Sequence, residues 1–103
     1  MQLDKMKQQA TEVAGLLKTM THPERLIVLC QLMDGEMSVN QLQLNSTLSQ
    51  SAFSQHLAIL RKNNIVKIRK EAQLVFYSLA DQRIKALITS FHDIFCDEDE
   101  DED

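Results

Sequence analysis

Hydrophobic positions in the first third of the chain recur at three- and four-residue spacing, which is typical of amphipathic helices. The first set predicts a helix over the N-terminal twenty residues, and its members are Met6, Ala10, Val13, Ala14, Leu17 and Met20. A second helix is predicted by another set, which comprises Leu26, Leu29, Cys30 and Met33. This second helix begins at the T-x-x-E capping pattern Thr21-His22-Pro23-Glu24 and ends at Asp34-Gly35.

The next two predicted helices are separated by a short polar stretch. Ser38-Val39-Asn40-Gln41 is another capping pattern, and it predicts a short helix that ends near Leu44 or Asn45. The following helix, from Ser49 to about Asn63, has an apolar face formed by Phe53, Leu57 and Leu60. Its opposite face carries small or polar side chains, namely Ser51, Ser54, Gln55 and Ala58. The order predicts a helix-turn-helix whose second helix enters a DNA groove.

Alternation of apolar and polar residues then predicts two β-strands. Val66 and Ile68 alternate with basic residues, and after the segment 70–73 a second alternating set comprises Val75, Tyr77 and Leu79. This hairpin is the predicted wing. A last helix from Asp81 to Cys96 carries an apolar stripe formed by Ile84, Leu87, Ile88, Phe91 and Phe95. We expect this stripe and the first helix to form the interface of a homodimer.

These elements predict a mainly α fold with a small β-hairpin wing, which is a winged helix-turn-helix in the order of four helices, two strands and a fifth helix. The formal net charge is −4, but the last seven residues alternate Asp and Glu and carry −7, so the rest of the chain carries +3 (11 basic minus 8 acidic residues). We therefore expect one folded domain over residues 1–96 and a disordered acidic tail over residues 97–103. Such a tail would either keep the protein soluble or compete with DNA for the basic wing.

The predicted DNA-binding residues fall into two groups. Side chains expected to reach base edges in the major groove are Gln50, Ser51, Ser54 and Gln55. Basic residues expected to hold phosphates lie within ten positions of one another and are Arg61, Lys62, Lys67, Arg69 and Lys70. Ser49 and His56, in the same helical segment, complete the predicted set, although a structural role would suffice for His56. The alternative is an ordinary solvated surface, which the serial order of the elements disfavours.

Other classes of protein are disfavoured by what the chain lacks. Charged residues interrupt the first twenty positions, so we expect neither a signal peptide nor a membrane span, and a cytoplasmic protein without a membrane partner. The sequence has no evident paired-carboxylate cleft, activated nucleophile or glycine-rich phosphate loop. We therefore expect no enzyme activity, no catalytic residues and no cofactor.

Three segments together resemble the ArsR/SmtB family of small bacterial regulators, over about residues 8–96. They are His22-Pro23-x-Arg25-Leu26, then Leu48-Ser49-Gln50-Ser51-Ala52-x-Ser54-Gln55-His56-Leu57, and Arg69-Lys70-x-x-x-Leu74-Val75-x-Tyr77. The resemblance implies a dimeric winged-helix repressor. It also implies that the helix 50–62 of both subunits binds double-stranded operator DNA and that an inducer releases it.

The family's metal sites are not evident in this chain. The segment 36–42, where many relatives carry paired cysteines, has no thiol, and Asp81-Gln82-Arg83 with only His92 downstream does not supply four zinc ligands. We therefore assign no metal ligands. The remaining pair, Cys30 and Cys96, is similar to that of the persulfide- and redox-sensing subgroup, in which a disulfide or polysulfide bridge joins the two cysteines.

The resemblance thus implies a repressor that releases DNA when a persulfide or another sulfane-sulfur inducer bridges Cys30 and Cys96. Cys96 lies at a helix end beside seven carboxylates, which disfavour a thiolate, so we expect Cys30 to be the attacking thiol. On its apolar stripe Cys30 would also suit a buried structural role. His92 would either support a thiolate or a soft metal, or be an ordinary surface histidine.

Three alternatives remain open from the residues and the resemblance. The first is an activator or anti-repressor of virulence genes that displaces a nucleoid protein. The second is a metal-responsive repressor of the same family. The third is a metal-binding or protein-interaction module that does not bind DNA, for which the acidic tail and net charge give modest support.

Overall fold

A computed structural model describes residues 2–96, so the predicted acidic tail lies outside the described residues. Within that range the elements are α1 (Leu3–Met20), α2 (Pro23–Gln31), β1 (Met37–Ser38), α3 (Val39–Leu44), α4 (Gln50–Lys62), β2 (Val66–Glu71), β3 (Leu74–Leu79) and α5 (Gln82–Phe95). A 3₁₀ turn, Leu32–Asp34, extends α2 to Gly35, whose φ of 132° ends the helix there. The predicted mainly α fold with a β-hairpin wing is confirmed.

Side-chain caps begin four of the helices. Ser38 and Gln41 form the predicted reciprocal capping box of α3, and Ser49 caps α4 through a hydrogen bond that its hydroxyl accepts from the Ala52 amide. The predicted cap of α2 was wrong by one residue, because the Nδ1 atom of His22 accepts the hydrogen bond from the Glu24 amide. Thr21 instead donates its hydroxyl to a carbonyl at the end of α1.

The sheet contains one strand that the sequence analysis did not predict. β1 pairs with β3 in antiparallel register, with Met37 opposite Tyr77, so the strand order is β1-β3-β2 and β3 lies in the centre. Two residues are too few to show alternation, which is why the pattern gave no signal for β1. The hairpin of β2 and β3 turns at residues 72 and 73, and Ala72 takes a φ of 55° there.

One hydrophobic core joins the helices to the sheet. Its buried members are Met20, Val28, Leu29, Leu32, Leu42, Phe53, Leu57, Leu60, Ile65, Val66, Tyr77, Ile84 and Ile88. The assignment of the whole α5 stripe to a dimer interface was therefore wrong for Ile84 and Ile88, because both are buried within the single chain. Phe95, at the end of that stripe, is 77% exposed.

α1 lies at the edge of this core and leaves most of its apolar face uncovered. Its last turn is buried at Met20, whereas Met6, Val13 and Leu17 are exposed. An ion pair of 3.2 Å between Glu12 and Arg83 connects α1 to the start of α5. In the part of the chain that the structure covers, no helix has the length and apolar character needed to cross a membrane.

Candidate nucleic-acid interface and thiol pair

Hydrogen bonds hold the turn between α3 and α4 against α2. The Ser46 hydroxyl donates to a carboxylate oxygen of Glu24 at 3.2 Å and accepts from the Leu48 amide at 3.1 Å. One residue earlier, the Asn45 side-chain amide donates to the Gln31 side chain at 2.6 Å. α2 and the turn before α4 are therefore connected at two points.

The exposed face of α4 carries most of the predicted base-reading side chains. Gln50, Ser51, Ser54 and Gln55 are all exposed, while Phe53, Leu57 and Leu60 anchor the opposite face in the core. Ser49 is also exposed, but its hydroxyl oxygen already accepts the capping hydrogen bond from the Ala52 amide at 3.2 Å. An outer face with amide and hydroxyl groups on a rigid helix can hydrogen-bond base edges in the major groove.

His56 does not share this exposed face. It is partly buried, and its ring lies 4.2 Å from the ring of His22 at an angle of 42°. Its Nδ1 atom is buried and has no hydrogen-bond partner among residues 2–96. Burial lowers the pKa of His56, and the charges of His22 and Arg25 lower it further. The ring of His56 thus packs against α2, and its contact with DNA stays a prediction.

The predicted phosphate-binding residues do not form one continuous surface. Arg61 and Lys62 are exposed in the last turn of α4, and Lys67 and Lys70 are exposed on β2. Side chains alternate along a strand, so Lys67 and Lys70 lie on opposite faces of the hairpin. The wing therefore presents one exposed lysine on each of its faces.

Arg69 is already engaged within the protein. Its guanidinium forms ion pairs of 2.6 Å with Glu36 and Glu71 and stacks on Phe76, with 4.6 Å from Cζ to the ring centroid. The hydrogen bonds to the two carboxylates raise the pKa of Arg69, and the same contact with Arg69 lowers the pKa of Glu36. Arg69 is therefore paired with two carboxylates, and its contact with a DNA phosphate stays a prediction.

A groove between α3, α4 and the wing adds two polar residues that the sequence analysis did not select. Its volume is about 350 Å³, and its polar lining includes Ser38, Asn40, Ser54, Gln73 and Tyr77. Asn40 and Gln73 are exposed and flank the predicted base reader Ser54. The sequence pattern already explained both residues, Asn40 as part of a capping pattern and Gln73 as part of the hairpin turn. Neither was therefore selected as a candidate for DNA contact.

Cys30 lies near the end of α2 and Cys96 at the end of α5, and the two thiols are not within disulfide distance of each other. Cys30 and Cys96 are free and exposed, and Cys96 is the C-cap of α5, where its amide donates to the carbonyl oxygen of His92 at 2.8 Å. A cavity of about 230 Å³ at the contact of α2 with α5 is lined by Cys30, Met33, Asp34, Ile88, Thr89 and His92. Burial of the thiol raises the pKa of Cys30, and the negative charge of a Cys96 thiolate raises it further.

The structure bears on two of the expectations about these thiols. Cys30 is not a fully buried structural residue, because it is exposed at the cavity. Its raised pKa disfavours the thiolate that the attacking role requires. The contrast with Cys96 was based on the acidic tail, which lies outside the described residues, so the order of reactivity stays a prediction.

Comparison with known proteins identifies the family. The model of the family described as "Bacterial regulatory protein, arsR family" matches residues 22–67, from the cap of α2 into β2. The transcriptional activator HlyU of Vibrio cholerae is 46% identical over 96 residues, which cover 93% of this chain and 89% of HlyU. The chain belongs to the ArsR family. It is therefore a DNA-binding transcriptional regulator of the winged-helix class.

Two further ArsR-family comparisons support this assignment. The biofilm growth-associated repressor of Agrobacterium fabrum is 45% identical, over 91% of this chain and 80% of the repressor. The structure of reduced HlyU from Vibrio cholerae matches with a TM-score of 0.86 and 46% identity, over 91% of this chain and 99% of that one. ArsR-family regulators bind operator DNA, generally as dimers, and the matched range includes α3, the turn and all of α4.

Proposed function

We propose that this chain is a homodimeric repressor that binds operator DNA and releases it when a sulfane-sulfur donor bridges Cys30 and Cys96. The observation that carries the proposal is the cavity at the contact of α2 with α5, because Cys30 and His92 both line it and Cys96 follows His92 by one helical turn. The proposed bridge requires the two thiols, which are free in this structure, to approach each other. The proposed role is regulatory and involves no enzyme activity.

The bridge forms by two thiol exchanges, in which atoms and electrons balance. The Cys30 thiolate attacks the sulfane sulfur of a persulfide R–S–SH, the R–S bond breaks, and R–S⁻ leaves as Cys30 becomes Cys30–S–SH. The Cys96 thiolate then attacks the Sγ atom of Cys30, and HS⁻ leaves with the outer sulfur. The product is a disulfide between α2 and the end of α5. Where a second R–S–SH first converts Cys96 to Cys96–S–SH with loss of R–S⁻, the terminal sulfur of Cys96 attacks the Sγ atom of Cys30, HS⁻ leaves, and the product is a trisulfide.

The contacts of α2 explain how a bridge between the two cysteines would change DNA binding. A bridge requires the two Cα atoms to come within about 7 Å of each other, so α2 and the end of α5 must adjust to it. α2 contacts α4 through His22 and His56, and it contacts the turn before α4 through Glu24 and Ser46. A shift of α2 therefore moves the exposed face of α4, and a small displacement of that face breaks the hydrogen bonds to base edges.

The test measures intact mass and DNA affinity on the same samples. Reduced protein is treated with a persulfide donor, with peroxide or with zinc, and its affinity for the DNA upstream of its own gene is determined. We expect the persulfide donor to yield a Cys30–Cys96 bridge and to weaken operator binding at least tenfold. Cys30→Ser and Cys96→Ser are the matched controls, and both should retain operator affinity after treatment.

Two outcomes would contradict the proposal. Cysteines that remain unmodified by the donor would exclude sulfur sensing, and a bridge that leaves operator affinity unchanged would separate the thiol chemistry from repression. Weakening by zinc in the absence of donor would instead support the metal-responsive alternative. Within residues 2–96 no cluster of three or more His, Cys, Asp or Glu side chains is arranged to hold a metal ion.

The homodimer is part of the same proposal. Apolar side chains remain exposed on two helices, with Met6, Val13 and Leu17 on α1 and Ile94 and Phe95 on α5. Two separate helices with uncovered apolar faces are what a symmetric interface with a second copy would cover. Two copies of α4 would then read two half-sites of one operator.

Activation of transcription is the second candidate function. It is supported by the 46% identity to a protein named as a transcriptional activator, whereas the Agrobacterium fabrum relative is named as a repressor. A reporter under the protein's own promoter distinguishes the two, because deletion of the regulator raises expression under repression and lowers it under activation.

A further inference from the structure

The Cys30 cavity holds ionisable groups from two directions. From α5 it is lined by His92, with Cys96 one turn further along, and from the turn after α2 it is lined by Asp34. The other lining residues, Met33, Ile88 and Thr89, carry no charge. An imidazole is therefore the one basic group that lines the cavity of the thiol within the described range.

Cys30 needs a nearby basic group to form its thiolate. Its pKa is raised by burial and by Cys96, so near neutral pH few molecules hold the thiolate that attacks a sulfane sulfur. His92 lines the same cavity as the thiol, so its imidazole is placed to accept the proton that leaves Cys30.

We propose that His92 is the general base that deprotonates Cys30. This inference rests on the proposed function and deepens it, because it assigns a residue that controls how fast the sensor responds at neutral pH. The side chains of His92 and Cys30 line the same cavity, which is the geometric basis of the proposal.

The proton that His92 takes from Cys30 is passed on to the leaving group within the same exchange. The Sγ–H proton of Cys30 moves to the imidazole, and the thiolate attacks the sulfane sulfur of R–S–SH. The R–S bond breaks, and the leaving R–S⁻ takes the proton back from the imidazolium as R–SH. Cys30 is left as Cys30–S–SH, and His92 is neutral again for a second exchange.

The experiment isolates Cys30 in a Cys96→Ser background and measures its rate of alkylation by iodoacetamide between pH 6 and pH 10. Iodoacetamide reacts with any thiolate, so the result does not depend on whether persulfides form the bridge. We expect His92→Gln to lower the rate near pH 7 by about tenfold or more. The two rates should converge at high pH, because the thiolate then forms without a base. Asp93→Asn, an exposed neighbour that does not line the cavity, is the matched control and should leave the rate unchanged.

A second measurement separates chemistry from misfolding. Added imidazole should restore much of the alkylation rate of His92→Ala at pH 7 and should leave the parent protein unaffected. Both variants should keep the operator affinity of the reduced parent. Equal pH profiles for His92→Gln and the parent, or the absence of rescue by imidazole, would overturn the role of His92. Failure of the bridge to form with persulfide would overturn the proposed function instead, whatever the alkylation profiles show.

Discussion

The rings of His22 and His56 lie 4.2 Å apart and join the first turn of α2 to the middle of α4. His22 uses its Nδ1 atom to cap α2, so its ring is fixed relative to that helix. Nearby, the Nε atom of Arg25 and the Nδ1 atom of His56 are buried without hydrogen-bond partners among residues 2–96. The contact between α2 and α4 therefore contains a histidine whose charged form is poorly accommodated.

This contact makes stability depend on pH. The pKa of His56 in the folded protein is below its ordinary value of 6.5, with burial as the largest cause. As pH falls below about 6.5, the unfolded chain therefore binds more protons at this position than the folded chain does. Neutral His56 contributes fully to stability above that pH. This contribution is lost as the pH falls toward the lower pKa that His56 has in the folded protein. We expect the free energy of unfolding, measured with urea, to decrease between pH 7 and pH 5.

His56→Gln tests the origin of that decrease. Glutamine is polar and does not titrate, so the variant should lose part of the pH dependence while its stability at pH 8 changes less. Gln55→Ala, an exposed neighbour on the same helix, should keep the slope of the wild type. An unchanged slope in His56→Gln would assign the pH dependence to other groups.

The helices were predictable because their periodicity and caps agree. Ser38, Gln41 and Ser49 stand at the positions that the sequence patterns indicated, and Phe53, Leu57 and Leu60 are buried as expected. The cap of α2 was displaced because a histidine nitrogen can accept the same hydrogen bond as a threonine hydroxyl. β1 was missed because its two residues are defined by pairing with β3, a contact between distant segments of the chain.

The capping box of α3 should contribute measurably to stability. The Ser38 hydroxyl accepts from the Gln41 amide at 3.1 Å, and the Gln41 side chain accepts from the Ser38 amide at 3.0 Å. Ser38 is 9% exposed, so water would not easily replace the lost bond. We expect Ser38→Ala to lower the free energy of unfolding by about 1 kcal/mol. Urea unfolding of the variant and the wild type measures this difference from the shift in the midpoint urea concentration, provided that the dependence of the free energy on urea is the same for both.

Ser51→Ala is the control for that measurement. Ser51 is exposed on α4, and alanine favours a helix interior, so its stability should change by no more than about 0.5 kcal/mol. Equal losses in the two variants would indicate that the box does not stabilise α3.

The wing offers a comparison between a free and a neutralised basic residue. Lys67 is exposed on β2, whereas the guanidinium of Arg69 is paired with Glu36 and Glu71. If Lys67 holds a phosphate, Lys67→Ala weakens binding to all duplexes and lowers the slope of log K against log salt by about one. Arg69→Ala should change that slope less, because fewer counterions are exchanged at a neutralised side chain.

Fluorescence anisotropy at several salt concentrations, with operator DNA and an unrelated duplex, measures both slopes. Glu36→Gln is the complementary variant, since it removes one of the two negative charges paired with Arg69 and should strengthen binding to both duplexes. A loss for Arg69→Ala as large as that for Lys67→Ala would mean that DNA displaces the two carboxylates.

The candidate site was less predictable than the fold, for a physical reason. Sequence spacing placed Gln50, Ser51, Ser54 and Gln55 on one exposed face, because a helix has a fixed period. The pairing of Arg69 with Glu36 joins residues 33 positions apart, and no local pattern indicates it. The position of His92 in the cavity of Cys30 likewise depends on how α5 packs against α2.

The last prediction concerns the exposed apolar face of α1. Val13 is 45% exposed, and together with Leu17 it has an apolar surface that the single chain leaves uncovered. In the proposed homodimer, Val13→Asp would bury an unpaired charge, which costs about 3 kcal/mol or more and weakens association at least about a hundredfold. Sedimentation velocity at micromolar concentration should then show a monomer, and operator affinity should fall because the two half-sites are no longer linked.

Leu44→Asp separates an effect at an interface from a general effect of a new charge. Leu44 is 83% exposed, more than Val13, but it lies on α3, outside the proposed interface. The Leu44 variant should therefore sediment as a dimer like the wild type. If the wild type is itself a monomer at micromolar concentration, or if both variants dissociate equally, the faces of α1 and α5 do not form the interface. The apolar side chains left exposed there would then need a different partner.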